Sequence, residues 1–134
     1  MNNPHPKPAC KILVVDDNRI IRNLLRLTFK DSTRYEVLEA ESGEQALPLT
    51  IREKPTVIIL DVMMPGELNG FEICRMIKSW PDTQHCNVIM LSARSQEQDF
   101  ESGQTAGADF YVTKPFSPNE LIALVESIHS DCQS

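Results

Sequence analysis

Four short apolar runs in this chain end on side chains that could do chemistry. Asp16 and Asp17 follow Ile12-Leu13-Val14-Val15, and Asp61 follows Val57-Ile58-Ile59-Leu60. Ser92 follows Val88-Ile89-Met90-Leu91, and Thr113-Lys114-Pro115 follows Phe110-Tyr111-Val112. Carboxylates gathered in one place repel each other, and a divalent cation relieves the repulsion. Mg²⁺ prefers hard oxygen ligands, with one or two carboxylates, waters and phosphate oxygens filling an octahedral shell. Three carboxylates, one ammonium and one Mg²⁺ sum to zero formal charge, so such a site could admit an anionic phosphoryl group. One carboxylate could attack phosphorus and carry it as an acyl phosphate. Lys114 and the metal would then counter the charge spread over the equatorial oxygens, and the Ser92 hydroxyl could donate to the same oxygens.

Each residue also has a plainer reading. Asp17 or Asn18 could simply cap a following helix. An Asp directly after a buried strand is common in α/β proteins, Lys114 could be a surface charge, and Ser92 a turn residue. Taken singly none is specific; their joint placement at four strand ends is.

The elements that must position them are also legible. The apolar runs, with Val37-Leu38 as a fifth, are continuous rather than alternating and mostly rich in Val and Ile, as expected of parallel strands buried on both faces. Helical stretches lie between them. Ser42, Asn69, Ser95 and Ser117 each precede a Glu or Gln by three residues, a helix-start signature, and Pro118 suits a first helical position. Ile73, Met76, Ile77 and Trp80 fall on one face of the third helix, and Leu121, Leu124, Val125 and Ile128 on one face of the fifth. Pro55 and Pro81 end the second and third helices, and Pro48 should kink the second. The fourth helix, roughly Glu97 to Ala106, has only Phe100 as a large apolar residue and contains Gly103, so it is the least anchored. Five strands alternating with five helices predict an α/β fold: a doubly wound parallel sheet with helices on both faces. In such sheets ligands bind beyond the carboxyl ends of the strands, where the reactive side chains fall.

Composition narrows the classes. With 134 residues the chain has the size of one domain, large enough to fold without disulfide or metal. Its net charge of −6 and lack of a basic run argue against direct nucleic-acid binding. No apolar run is long enough to span a bilayer. Residues 1–9 (MNNPHPKPA) read as a polar, disordered leader rather than a signal peptide, 10–130 as one domain and 131–134 as a fraying tail. Cys10, Cys74, Cys86 and Cys132 form no CxxC and have no His at zinc-finger spacing; they read as reduced thiols of a cytoplasmic protein, most of them small apolar fillers.

The segments KILVVDDN (11–18), VIILDVMMPG (57–66), MLSAR (90–94) and GADFYVTKPF (107–116) resemble the response-regulator receiver domain of bacterial two-component signalling, a resemblance that runs from about residue 10 to 130. It implies a flavodoxin-like sheet of order 2-1-3-4-5 and Asp61 as the phospho-acceptor. Asp16 and Asp17 would hold Mg²⁺ (Mn²⁺ being an alternative), with Asp61 and the backbone carbonyl of Met63 as further ligands. Lys114 would bind the phosphoryl group, its bond to Pro115 being cis. Ser92 and Tyr111 would form the switch pair, although Tyr111 would otherwise be read as core. The implied partners are a histidine kinase or histidine phosphotransfer protein and, through the face of the fourth helix, fifth strand and fifth helix, an effector or dimer partner. The domain would catalyse only its own phosphorylation and dephosphorylation, as a switch rather than an enzyme.

The chain departs from the family pattern in the Asp61 to Gly70 segment, longer by one residue within Glu67-Leu68-Asn69. Met63 and Arg94 are expected to flank the attack path and set the phosphoryl lifetime. Three rivals stand beside this reading. A haloacid-dehalogenase-like Mg²⁺-dependent phosphohydrolase would carry DxD after the first strand, where this chain has adjacent Asp16-Asp17, and a cap domain, which it lacks. A receiver-like interaction module that is never phosphorylated would not need the full acidic set. A flavodoxin-like electron carrier would carry a Ser/Thr/Gly phosphate loop there. The chain could be a stand-alone regulator or an N-terminal piece of a longer protein.

Overall fold

A computed structural model describes residues 10–62, 69–92 and 107–133. Five strands, β1 (Cys10–Val15), β2 (Tyr35–Ala40), β3 (Val57–Asp61), β4 (Asn87–Ser92) and β5 (Phe110–Thr113), alternate with helices α1 (Arg19–Thr28), α2 (Gly43–Glu53), α3 (Gly70–Ser79) and α4 (Pro118–Gln133). The helix expected over Glu97 to Ala106, with its Ser95 start, lies outside the described residues, so α4 is the helix expected as the fifth. It continues into the stretch read as a tail. The leader, residues 1–9, is likewise outside the described residues.

The strands form one parallel sheet in the order β2-β1-β3-β4-β5, as expected. Its register decides where the strands end. Val15 pairs with Leu60, Asp61 with Leu91, and Ser92 with Thr113. The carboxyl ends of β1, β3, β4 and β5 therefore finish along one edge.

Two apolar layers hold the sheet, and the period of two along each strand assigns residues to them. Leu13, Val15, Ile58, Leu60, Val88 and Met90 pack on one face with Ala46 of α2 and with Ile73, Cys74 and Ile77 of α3. Ile12, Val14, Val57, Ile59, Ile89 and Leu91 pack on the other with Leu25 of α1 and with Leu121, Val125 and Ile128 of α4. These side chains are almost wholly withdrawn from water. Truncating any of the large ones to Ala costs about 2–5 kcal/mol.

The helix starts follow the sequence signals with local differences. Asn69 and Glu72 form a reciprocal capping box at α3. At α2 the Gln45 backbone N–H donates to Ser42, but the Gln45 side chain accepts from the Glu41 N–H rather than from Ser42. Ser117 Oγ accepts from the Glu120 N–H at 3.4 Å. Lys54, at φ 47°, closes α2 before Pro55, and Trp80 is extended before Pro81. Pro48 lies within α2, which is one continuous helix around it.

Cys10, Cys74 and Cys86 are buried thiols, matching their reading as apolar filler, and the Cys132 side chain lies outside the described residues. Burial pushes the Cys74 and Cys86 thiols up to about 11. Lys78 at the end of α3 ties the helix to the sheet: its ammonium donates to the Cys86 carbonyl and to Asp109, both at 2.9 Å, and Asp109 also accepts the Val88 N–H at 2.8 Å.

Candidate functional site

The edge formed by the strand ends gathers the residues singled out above. Asp16 directly follows β1 and is 1% exposed. Almost all of its polar atoms are committed to the scaffold. Its N–H donates to the Ala40 carbonyl at 3.1 Å, its Oδ1 accepts the Asn18 N–H at 2.8 Å, and its own carbonyl accepts from Arg22 Nη1 at 2.8 Å. The remaining oxygen, Oδ2, is buried and accepts no hydrogen bond from the described residues; the Lys114 ammonium stands 3.5 Å away.

Asp17 is exposed at the same turn. The capping that would have explained it away is done by its neighbour. Asn18 accepts from the Ile20 N–H at 2.9 Å and the Ile21 N–H at 3.4 Å, leaving the Asp17 carboxylate unused by the helix start.

Asp61 is the last residue of β3 and is 4% exposed. Its Oδ1 lies 3.3 Å from Lys114 Nζ. Behind it, Gly70 at the start of α3 donates its N–H to the Val62 carbonyl at 3.1 Å. A Cβ on Gly70 would stand 2.3 Å from the Asp61 carbonyl oxygen, so only glycine allows the helix to approach the strand this closely. Lys114 follows β5 across a backbone hydrogen bond from its N–H to the Ser92 carbonyl, and its peptide bond to Pro115 is cis, as the resemblance implied.

Carboxylate oxygens of Asp16, Asp17 and Asp61 all lie within 4.8 Å of one another. At that spacing each pair repels by about 3 kcal/mol at an effective dielectric near 20. One ammonium reaches two of the three carboxylates, both buried, and among the described residues one buried oxygen takes no hydrogen bond. This donor set, all hard oxygen with excess negative charge, suits a small divalent cation.

The structure thus brings Asp16, Asp17, Asp61 and Lys114 together. Ser92 is buried at the end of β4, opposite Thr113 in register. Tyr111 is half-buried in β5 against the α2–α3 side of the core, with its hydroxyl inside. Met63 and Arg94, and the loop residues 63–68, lie outside the described residues. Two neighbours of the site were missed from sequence. Arg22 is 7% exposed, though a charge on a helix normally reads as surface; the available signal was its spacing from Leu25 and Phe29, which puts it on the buried stripe of α1. In sequence, Gly70 shows only as part of a helix start.

Comparisons with known proteins agree with this geometry. Residues 12–126 match the family model of the response regulator receiver domain. The phosphate regulon transcriptional regulatory protein PhoB of Pseudomonas aeruginosa is 40% identical over 117 residues, covering 87% of this chain and 50% of that protein. The chain spans about half the length of the curated relatives it matches. Among solved structures, a response regulator of Chloroflexus aurantiacus superimposes with a TM-score of 0.84 at 35% identity, covering 92% of this chain and 99% of that one. The chemotaxis protein CheY4 of Vibrio cholerae gives a TM-score of 0.81 at 30% identity, covering 89% and 98%. Among the described residues no helix is long and apolar enough to cross a membrane. With the sheet order, the acidic cluster at its edge and the family match all in agreement, the chain belongs to the response regulator receiver domain family of two-component signal transduction.

Proposed function

We propose that this chain is a phosphorylation-controlled switch in which Asp61 takes a phosphoryl group from a phosphohistidine donor, a histidine kinase or histidine phosphotransfer protein. The observation that carries this reading is Lys114 Nζ, 3.3 Å from Asp61 Oδ1 and 3.5 Å from Asp16 Oδ2, within a cluster of three carboxylates. An Asp61 oxygen attacks phosphorus; an O–P bond forms, the P–N bond to the donor imidazole breaks, and the imidazole leaves with a proton from solvent. Lys114 stabilises the oxygens on which charge accumulates, and the buried Ser92 hydroxyl donates to them. Asp16 and Asp17, with Asp61, would hold Mg²⁺, or Mn²⁺. The metal, when bound, supplies electrostatic stabilisation of the transferring group. Water later attacks phosphorus, releasing inorganic phosphate and restoring the carboxylate.

The donor reaches Asp61 over α1. Ile20 and Leu27 are 75% and 66% exposed, and Ile21 and Leu24 share a cleft with Lys114, Pro115 and Phe116 beside the acidic cluster. The domain, residues 10–130, acts in the cytoplasm. Phosphorylation favours one of two conformers through the Ser92–Tyr111 pair, and the output face comprises β5 and α4 with the helix expected over Glu97 to Ala106, which lies outside the described residues. Met63 and Arg94 set the phosphoryl lifetime: Met63→Asn and Arg94→Ala each change the dephosphorylation rate, and unchanged rates would remove that role.

Incubation with acetyl phosphate and Mg²⁺, read by intact mass, tests the core of this reading. One phosphoryl mass should appear, and Asp61→Asn should abolish it. Repeated turnover of the donor without a phosphoprotein would point to a hydrolase, and no reaction at all to a pure interaction module.

A further inference from the structure

Arg22 is a buried cation beside a site built to hold another cation, which demands a reason. Its guanidinium makes three separate contacts. Nη1 donates to the Asp16 carbonyl at 2.8 Å, Nε to Glu39 at 3.1 Å and Nη2 to Glu41 at 3.3 Å. Glu39 lies in β2 and Glu41 just beyond it, so the planar fork clamps the β1–α1 turn to the end of the neighbouring strand. That turn carries both Asp16 and Asp17.

We propose that Arg22 is a positioning residue for the metal-binding carboxylates, an inference that rests on the reading of the site as Mg²⁺-dependent. It fixes the Asp16 peptide carbonyl while the Asn18 N–H fixes Oδ1, so that Asp16 Oδ2 stays aimed at the cluster and Asp17 is held within reach of Asp61. Lysine cannot replace it, because an ammonium on a flexible stem cannot hold three acceptors in one plane. Loss of partners that orient metal ligands typically weakens metal affinity by about 10–100-fold.

The sign of the effect separates positioning from simple charge. Arg22→Gln removes a positive charge near the site and leaves Glu39 and Glu41 unneutralised, so a Coulomb effect alone would tighten Mg²⁺ binding. Positioning predicts the opposite: Mg²⁺ affinity, measured by calorimetry without any phosphodonor, falls by about tenfold in Arg22→Gln and also falls in Arg22→Lys, which keeps the charge. Amide exchange at Asn18 should quicken in both. At saturating Mg²⁺, phosphorylation by acetyl phosphate should recover towards the parent rate, because the loss is in affinity. Thermal melting verifies that each variant is folded. If the Arg22 variants do not fold, the pair Glu39→Asp with Glu41→Asp keeps every charge while withdrawing both carboxylates from the fork, and should weaken Mg²⁺ several-fold. Folded variants that bind Mg²⁺ as tightly as the parent, or more tightly, overturn the role of Arg22 alone. A parent chain that binds no Mg²⁺ overturns the site reading and this inference with it.

Discussion

At the α1 start, two adjacent residues divide the labour that either could have taken. Asn18 caps the helix, so Asp17 is available to the cluster. Asp17→Asn should therefore leave the urea midpoint equal to or above that of the parent without metal, since it removes repulsion and no cap, while Mg²⁺ binding is lost. A fall in the midpoint would show that Asp17 serves the fold instead. Gly70 presents the reverse case, a residue with no chemistry whose emptiness the site needs. A methyl group there meets the Asp61 carbonyl oxygen at 2.3 Å. Gly70→Ala should cost about 1–3 kcal/mol in denaturant unfolding and slow phosphorylation by acetyl phosphate, because helix or strand must give way. Asp16, Asp17, Asp61 and Lys114 were legible because strand ends are predictable and their charges cannot coexist without cause. Arg22 and Gly70 were not, since burial of a guanidinium and backbone-to-backbone clearance arise only when separate elements meet.

Among the elements, β1, β3 and β4 were the most legible, being interior strands whose both faces must be apolar. β2 offered only Val37-Leu38, yet spans Tyr35–Ala40; as an outer strand, it is mostly half-buried and tolerates Glu36 and Glu39. The α2 start also departed in detail, with the Gln45 side chain reaching past Ser42 to accept the Glu41 N–H. Helix α1 turns Leu25 inward, as does its capping residue Phe29, and leaves Ile20, Leu24 and Leu27 outward, a stripe the fold itself does not use. Ile20→Glu should leave folding and acetyl phosphate labelling unchanged but slow transfer from a phosphorylated histidine phosphotransfer protein by about tenfold, the scale of one central contact in an interface. Equal slowing with both donors would place Ile20 in the chemistry rather than in docking.

For the molecule as a whole, burial of polarisable groups sets an alkaline limit. The Cys74 and Cys86 thiols ordinarily titrate near 9 and are pushed up to about 11 by burial. Tyr35 is pushed up to about 12 by burial and by the Glu126 carboxylate that accepts its hydroxyl hydrogen. The native state keeps these protons where the unfolded chain releases them. Their stabilisation is therefore complete below pH 9 and is lost as pH rises through 11, with Tyr35 extending the loss between 10 and 12. The urea midpoint should fall over that window, and Cys86→Ala should flatten the fall; a midpoint constant from pH 8 to 11 would contradict it. The sheet order carries another consequence. Asp16 and Asp61 extend from interior strands, whereas Lys114 extends from β5, a four-residue strand paired only with β4. The anionic half of the pocket is thus mounted on the hub of the molecule and the cationic half on its rim. Peeling at the rim parts the two without melting the hub, so the pocket can lose its counter-charge at a far smaller free energy than global unfolding requires.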